Sequence, residues 1–201
     1  MESAEYPSKR PHGIAGGVLV TGSAGFIGRE VASKLAATNA QVVSMYHYRL
    51  PEAAEGLYPF SSDLSSPDLL ATPLRGISTV VHLAWSTKGA AADNARAGGA
   101  LHANPSHQHA GANIPMLRNL IAGMERAGTK RIVFLSALGA RRNCENLFLL
   151  EKYICELMII NSDIPEKVII RSASVISGPI SNDRMVQSLL SSIRWPGVYP
   201  L

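Results

Sequence analysis

Val18-Leu19-Val20-Thr21-Gly22-Ser23-Ala24-Gly25-Phe26-Ile27-Gly28 joins a short apolar run to three glycines at a spacing of three. Phe26, Ile27, Val31 and Leu35 then recur at helical spacing. The pattern predicts a strand, a tight turn and a helix. Each glycine has a physical task in such a turn. Gly22 allows the sharp bend. Gly25 lets a pyrophosphate approach backbone where a Cβ would clash. Gly28 lets the helix pack closely on the strand. The helix N-terminus offers free N–H groups and the positive end of its dipole to phosphates. A glycine turn between a strand-like run and an amphipathic run has the context that a dinucleotide site requires.

The rest of the composition bounds the answer. A chain of 201 residues with 46% hydrophobic content is enough for one α/β domain with a sizeable core. The net charge of +4, from 19 basic and 15 acidic residues, is scattered and forms no stripe that demands nucleic acid. Cys144 and Cys155 have no metal-ligand spacing and no disulfide framework, which points to a reducing cytoplasm. No apolar run is long enough to span a membrane, and the polar N-terminus lacks the apolar segment of a secretory signal. Residues 1–15 read as a loose tail. Residues 87–110, rich in Ala, Gly, Asn and His, read as a long loop. His102, His107 and His109 lie in it without acid or cysteine at a telling distance, so no metal is expected.

The string Thr21-Gly22-x-x-Gly25-Phe26-Ile27-Gly28 resembles the extended short-chain dehydrogenase/reductase superfamily, of the NAD-dependent epimerase/dehydratase type. The resemblance covers roughly residues 17–201. It implies a Rossmann-like α/β fold with a doubly wound parallel sheet, a bound NAD(P), and a C-terminal substrate domain that this chain would largely lack. On that basis residues 16–180 form the NAD(P)-binding domain. Residues 181–201, with an amphipathic stretch from Met185 to Ile193, begin a truncated substrate-binding region.

The resemblance also assigns cofactor contacts. Gly22, Ser23, Gly25, Phe26, Ile27 and Gly28 line the dinucleotide, with Arg29 directly after them. Gln41 to Tyr46 reads as the second strand, whose end meets the adenosine ribose. An acid there favours NAD, and a nearby Arg favours the 2′-phosphate of NADP. Tyr46 stands where the acid is usual, His47 and Arg49 follow, and no acid appears before Glu52, which tilts the choice toward NADP. Leu57 to Phe60 reads as a third strand. Asp63 and Leu64 match the pair at the adenine edge, and Asp63 or Ser65 is also placed to cap a short helix over Ser66–Ala71. Thr79 to Ala84 reads as a buried strand resembling the Val-His-Leu-Ala element, with His82 a packed structural histidine. Leu83, Ala84 and Trp85 then face the cofactor at its end.

Ala112 to Ala127 is an amphipathic helix, with Ile114, Leu117, Leu120, Ile121 and Met124 on one face and Gly128 ending it. The resemblance gives Asn113 the task of holding neighbouring backbone. Arg131 to Ser136 is the next strand, and a helix follows from Asn146 through Lys152 to Glu156. Ile169, Ile170 and Arg171 read as the last strand.

In the superfamily, a Tyr and a Lys four residues apart on one helix work with a Ser or Thr from the preceding strand. Residues i and i+4 share a face, so the ammonium lowers the phenol's pKa. Here Lys152 is in place, but Phe148 occupies the tyrosine position, and phenylalanine cannot carry a proton. Alignment puts Ala137 at the Ser/Thr position, with Ser136 one residue earlier as a candidate. Lys152 has two roles open to it: bonding the nicotinamide ribose hydroxyls, as the resemblance implies, or pairing with Glu156 at i+4. Leu-Ser-Ala-Leu-Gly-Ala, the Lys152 helix and the Ile169–Pro179 segment look like one atypical branch. That branch includes the NAD(P)-binding accessory subunit of respiratory complex I and related epimerase-like proteins.

Two functions follow as expectations. One is an NAD(P)-dependent epimerase, dehydratase or oxidoreductase acting on a nucleotide sugar or similar alcohol or carbonyl. The other is a non-catalytic dinucleotide-binding structural subunit or redox sensor. The resemblance adds a homodimer through the helices that hold Asn113 and Lys152.

Overall fold

In a computed structural model the structure describes residues 16–38, 40–86 and 112–175. The readings of the tail 1–15, the loop 87–110 and the amphipathic stretch 185–193 lie outside them. The described strands are β1 (Gly17–Thr21), β2 (Val42–Tyr46), β3 (Leu57–Ser61), β4 (Ile77–His82), β5 (Arg131–Ala137) and β6 (Glu166–Ser172). The described helices are α1 (Phe26–Ala37), α2 (Asn113–Ala127) and α3 (Leu147–Ile160), with a 3₁₀ turn at Pro67–Leu70.

The six strands form one sheet in the order β3-β2-β1-β4-β5-β6. β1 pairs with β2 and β4 in parallel, as do β2 with β3 and β4 with β5. The chain therefore steps outward from β1 to β3, returns to β4 beside β1, and proceeds the other way. The reversal falls between β1 and β4, whose ends Thr21 and His82 stand in register. In a sheet of this kind that reversal opens a crevice beyond the strands' C-terminal ends.

The near-continuous apolar runs follow from burial on both faces. Alternation sends Leu19, Val43, Met45, Val80 and Phe134 to one face, against Leu117, Leu120 and Met124 of α2 and Cys155 and Ile159 of α3. Val20, Val42 and Val81 go to the other, against Ala32 and Ala36 of α1. Each fully buried Leu, Val or Ile contributes about 1.5–3 kcal/mol of transfer free energy.

Element ends have local causes. Gly128 takes the left-handed conformation, φ 69°, and closes α2. Asn146 Oδ1 accepts from the Leu149 amide at 3.2 Å and starts α3. The 3₁₀ turn is capped by Ser66, whose Oγ accepts from the Asp68 amide at 3.4 Å. That replaces the expected caps Asp63 and Ser65. Asp63 Oδ1 instead accepts from the Ser65 amide at 2.9 Å, closing a side-chain turn before the cap. β4 begins at Ile77 and stops at His82, earlier at both ends than the expected Thr79–Ala84. One compact unit of the chain ends at Arg171 and another begins at Ser172, of which residues 172–175 are described.

Candidate functional site

The glycine turn lies at the crevice. Gly22 has φ 69°, and a Cβ there would stand 2.7 Å from the Ala84 backbone, so the turn is pressed against the end of β4. A Cβ on Gly28 would stand 2.1 Å from the Gly22 carbonyl oxygen. Gly28 thus admits the turn itself to the helix, a closer partner than the strand the sequence suggested. Gly25 is different. Its φ of −79° suits any residue, and a Cβ would meet only the Gly22 carbonyl oxygen, at 3.1 Å. Gly25 is also the N-cap of α1, makes no side-chain capping bond, and no acid lies in the first turn. The first-turn amides around Phe26 and Ile27, with their dipole, are what a phosphate requires. These features fit a dinucleotide pyrophosphate. Phe26 is half-exposed beside them.

Thr21 welds the crevice's floor. Its Oγ1 accepts from the Leu83 and Ala84 amides, both at 3.2 Å, and lies 2.7 Å from His82 Nδ1. With both N–H groups donating in, the hydroxyl proton goes to Nδ1, which leaves the imidazole proton on Nε2. Burial, aided by the Lys152 charge, pushes the His82 pKa down to about 3, so the ring is neutral. His82 is the packed structural residue expected. The same bonds end β4 by turning Leu83 and Ala84 toward β1.

Ser23 spends its hydroxyl within the fold. Its buried Oγ donates to the Met45 carbonyl at 3.0 Å and ties the turn to β2, so the hydroxyl serves the fold. Leu64 serves it too. Its side chain is buried in the core, and its carbonyl accepts from Asn119 Nδ2 at 2.9 Å. Asp63 keeps a place at the surface, with its Oδ2 3.6 Å from His47 Nε2. Tyr46 ends β2 half-buried, and Arg49 lies on the exposed segment after it. Arg29 approaches Glu30 at 3.6 Å. A crevice of about 140 Å³ is lined by Ser23, Arg29, Ser33, Ser44 and Glu52, among others. Glu52 and Arg29 therefore line one crevice, which sequence separation concealed. Ser44 Oγ is buried there without a hydrogen-bond partner.

Beyond Trp85 lies the helix of the expected catalytic pair. Lys152 is only 7% exposed. Its Nζ donates to the Leu135 carbonyl at 2.7 Å and sits 3.6 Å from the Trp85 ring centroid and 4.8 Å from that of Phe134. Desolvated cation–π contacts of this kind contribute about 2 kcal/mol. Burial lowers the Lys152 pKa to about 8, against the raising charges of Cys155, Glu151 and Glu156. Phe148 meets Trp85 edge-on at 5.8 Å.

Ser136, the catalytic candidate, is buried and donates to Glu156 Oε1 at 2.5 Å. Glu156 also receives Arg171 through two bonds, 2.9 Å to Oε1 and 2.6 Å to Oε2. Burial alone would raise the Glu156 carboxyl, but the Arg171 and Ser136 hydrogen bonds and the Arg171 charge hold it below the usual range. Ser136 is thus drawn into a structural network. The same network takes Glu156 as the partner of Arg171, where i+4 spacing had offered it to Lys152. Asn113 holds the backbone as expected: Oδ1 accepts from the Ser86 amide at 2.7 Å, and Nδ2 donates to the Ser86 carbonyl at 3.1 Å and to Glu151 Oε2 at 3.0 Å.

Sheet order, glycine turn and uncapped helix N-terminus together define a dinucleotide-binding α/β protein. A family model described as NAD(P)H-binding matches residues 22–173, and the chain belongs to that family. No curated protein matches it. Among solved structures, it is similar to UDP-glucose 4-epimerase from Brucella ovis in complex with NAD, at 19% identity and a TM-score of 0.65, over 84% of this chain and 55% of that one. MoeE5 in complex with UDP-glucose and NAD is 23% identical with a TM-score of 0.59, over 78% and 54%. These likenesses give the fold. The chain spans about half the length of the structures it matches.

Proposed function

We propose that the protein binds NAD(P) at the glycine turn and acts, as an epimerase/dehydratase-type oxidoreductase, on an alcohol or carbonyl of a nucleotide sugar or similar substrate. The observation that carries the cofactor half is the uncapped, acid-free start of α1 beside Gly25. The substrate half is supported by fold likeness to proteins whose complexes contain UDP-glucose. Gly22, Gly25, Phe26, Ile27 and Gly28 would hold the pyrophosphate. Arg29, Tyr46, Arg49 and Asp63 would face the adenosine end, and Leu83, Ala84 and Trp85 the nicotinamide end with Lys152. Bound nicotinamide supplies hydride transfer. This chain's part is to bind and orient it.

Arg29 and Arg49 support a tilt toward NADP, but Glu52 lines the same crevice as Arg29. An exposed charge in mixed company is worth at most about 1 kcal/mol, so the NADP preference is no more than about fivefold and Arg29→Ala should erase it. The cytoplasm suits two free cysteines. A homodimer through α2 and α3 is supported by exposed Leu157 and Ile160 on α3, and light scattering tests it. Among the described residues, no helix is long and apolar enough to cross a membrane.

A second function, cofactor binding without turnover as a structural subunit or redox sensor, is favoured by one observation: Phe148 stands at the proton-donor position. The two separate on incubating the wild type and Phe148→Tyr with NAD⁺ and UDP-glucose and following the sugar by nuclear magnetic resonance. Conversion by the wild type supports the enzyme. Conversion by the variant alone, or by neither while cofactor is bound, supports the binding protein.

A further inference from the structure

The Lys152 amine is covered by an aromatic ring on the side of the crevice. Trp85 is the residue immediately after the backbone that Thr21 fixes, and immediately before the one that Asn113 fixes. Leu83 and Ala84 are held by Thr21 Oγ1, and both the amide and the carbonyl of Ser86 are held by Asn113. The backbone on either side of the tryptophan is therefore pinned, and the freedom left to Trp85 is rotation of its side chain. Its ring lies 3.6 Å from Nζ, in direct contact. A hydroxyl that bonds this amine must come to about 2.9 Å of it. Ring and hydroxyl cannot occupy that face together.

We propose that Trp85 is a latch on Lys152: its ring and the ribose hydroxyls of the cofactor compete for one face of the amine, and dinucleotide binding turns the ring away. The inference rests on the dinucleotide site proposed above. The backbone by Ala84 touches the glycine turn, so a dinucleotide that runs from the turn along the end of β4 meets Trp85 next. Phe148 completes the latch. Its edge-on contact steadies the ring in the covering position, and it offers no hydroxyl to draw the amine elsewhere. An equilibrium between covered and open forms lowers the apparent affinity by the open fraction.

The test is calorimetric titration of NADH into four proteins: wild type, Trp85→Ala, Lys152→Met and the double variant, with Trp85→Leu in reserve should the alanine protein not fold. The latch predicts that Trp85→Ala binds NADH more tightly than wild type, by up to about thirtyfold if the whole ring contact opposes opening. It also predicts that Lys152→Met and the double variant bind alike, because without the amine there is nothing to cover. Binding by Trp85→Ala alone would uphold the latch in its strongest form. Equal or weaker binding by Trp85→Ala overturns the latch and leaves the dinucleotide site standing. An equal gain in the Lys152→Met background also overturns it, since the ring is then a plug that acts without the amine. Absence of NADH binding in all four proteins overturns both the latch and the dinucleotide site.

Discussion

Thr21 is a small residue with a large share of the architecture, and a sequence does not advertise it. Its hydroxyl joins β1 to His82 and to two amides beyond β4, so the crevice depends on one neutral imidazole. This gives a pH prediction with a definite sign. The His82 pKa is about 3 in the folded chain and near 6.5 unfolded, so below pH 6.5 the unfolded state takes a proton that the folded state refuses. Stability is complete above about pH 6.5 and falls as pH drops toward 3. Urea unfolding at about pH 5 should show about 2 kcal/mol less stability than at pH 7 from this group, a difference that His82→Gln removes.

The three glycines should separate just as clearly. Gly28→Ala pushes a Cβ into the Gly22 carbonyl and should cost about 3 kcal/mol, visible as a lowered melting temperature. Gly25→Val should melt near the wild type, because that position has ordinary φ and one close neighbour. At this scale spacing made the turn at Gly22, Gly25 and Gly28 legible. It could not show where side chains point. Ser23, Leu64 and Ser136 were drawn into the fold's own bonds, and the Trp85 ring onto Lys152, by contacts between residues far apart in the chain.

At the scale of elements, periodicity placed the strands and long helices. What it missed were boundaries decided by tertiary hydrogen bonds, such as the early end of β4 and the Ser66 cap of the 3₁₀ turn. The joint between β5, α3 and β6 was equally hidden. Glu156 on α3 receives Ser136 from β5 and Arg171 from β6, and i+4 spacing pointed instead to Lys152. Removing the Glu156 carboxylate leaves the buried Ser136 hydroxyl without that acceptor and the half-exposed Arg171 without its ion pair. Glu156→Gln should therefore lower the midpoint of denaturant unfolding, with the exposure of Arg171 screening part of the loss. An unchanged midpoint would mean that β6 is held mainly by its backbone pairing.

At the scale of the molecule, strand order and glycine turn agree on one site, where the sheet reverses between β1 and β4. The same interior occupies the groups that the sequence resemblance offered for proton transfer. Ser136 is bound to Glu156, the Lys152 amine lies beneath Trp85, and Phe148 meets the same ring. Affinity for a dinucleotide and turnover of a substrate are thus separate properties of this chain, and the first is prior to the second.

The most direct test is calorimetric titration of the protein with NADH and with NADPH, with Gly25→Val as the control. Gly25 is the right position because a Cβ there meets the Gly22 carbonyl oxygen at 3.1 Å, whereas one at Gly22 or Gly28 comes within 2.7 or 2.1 Å of backbone, and Gly25 caps the helix start proposed to hold the phosphates. The account predicts saturable binding of both dinucleotides, NADPH ahead by no more than about fivefold, and loss of both in a Gly25→Val protein that remains folded. Failure of either dinucleotide to bind the folded wild type, or undiminished binding by Gly25→Val, would contradict it.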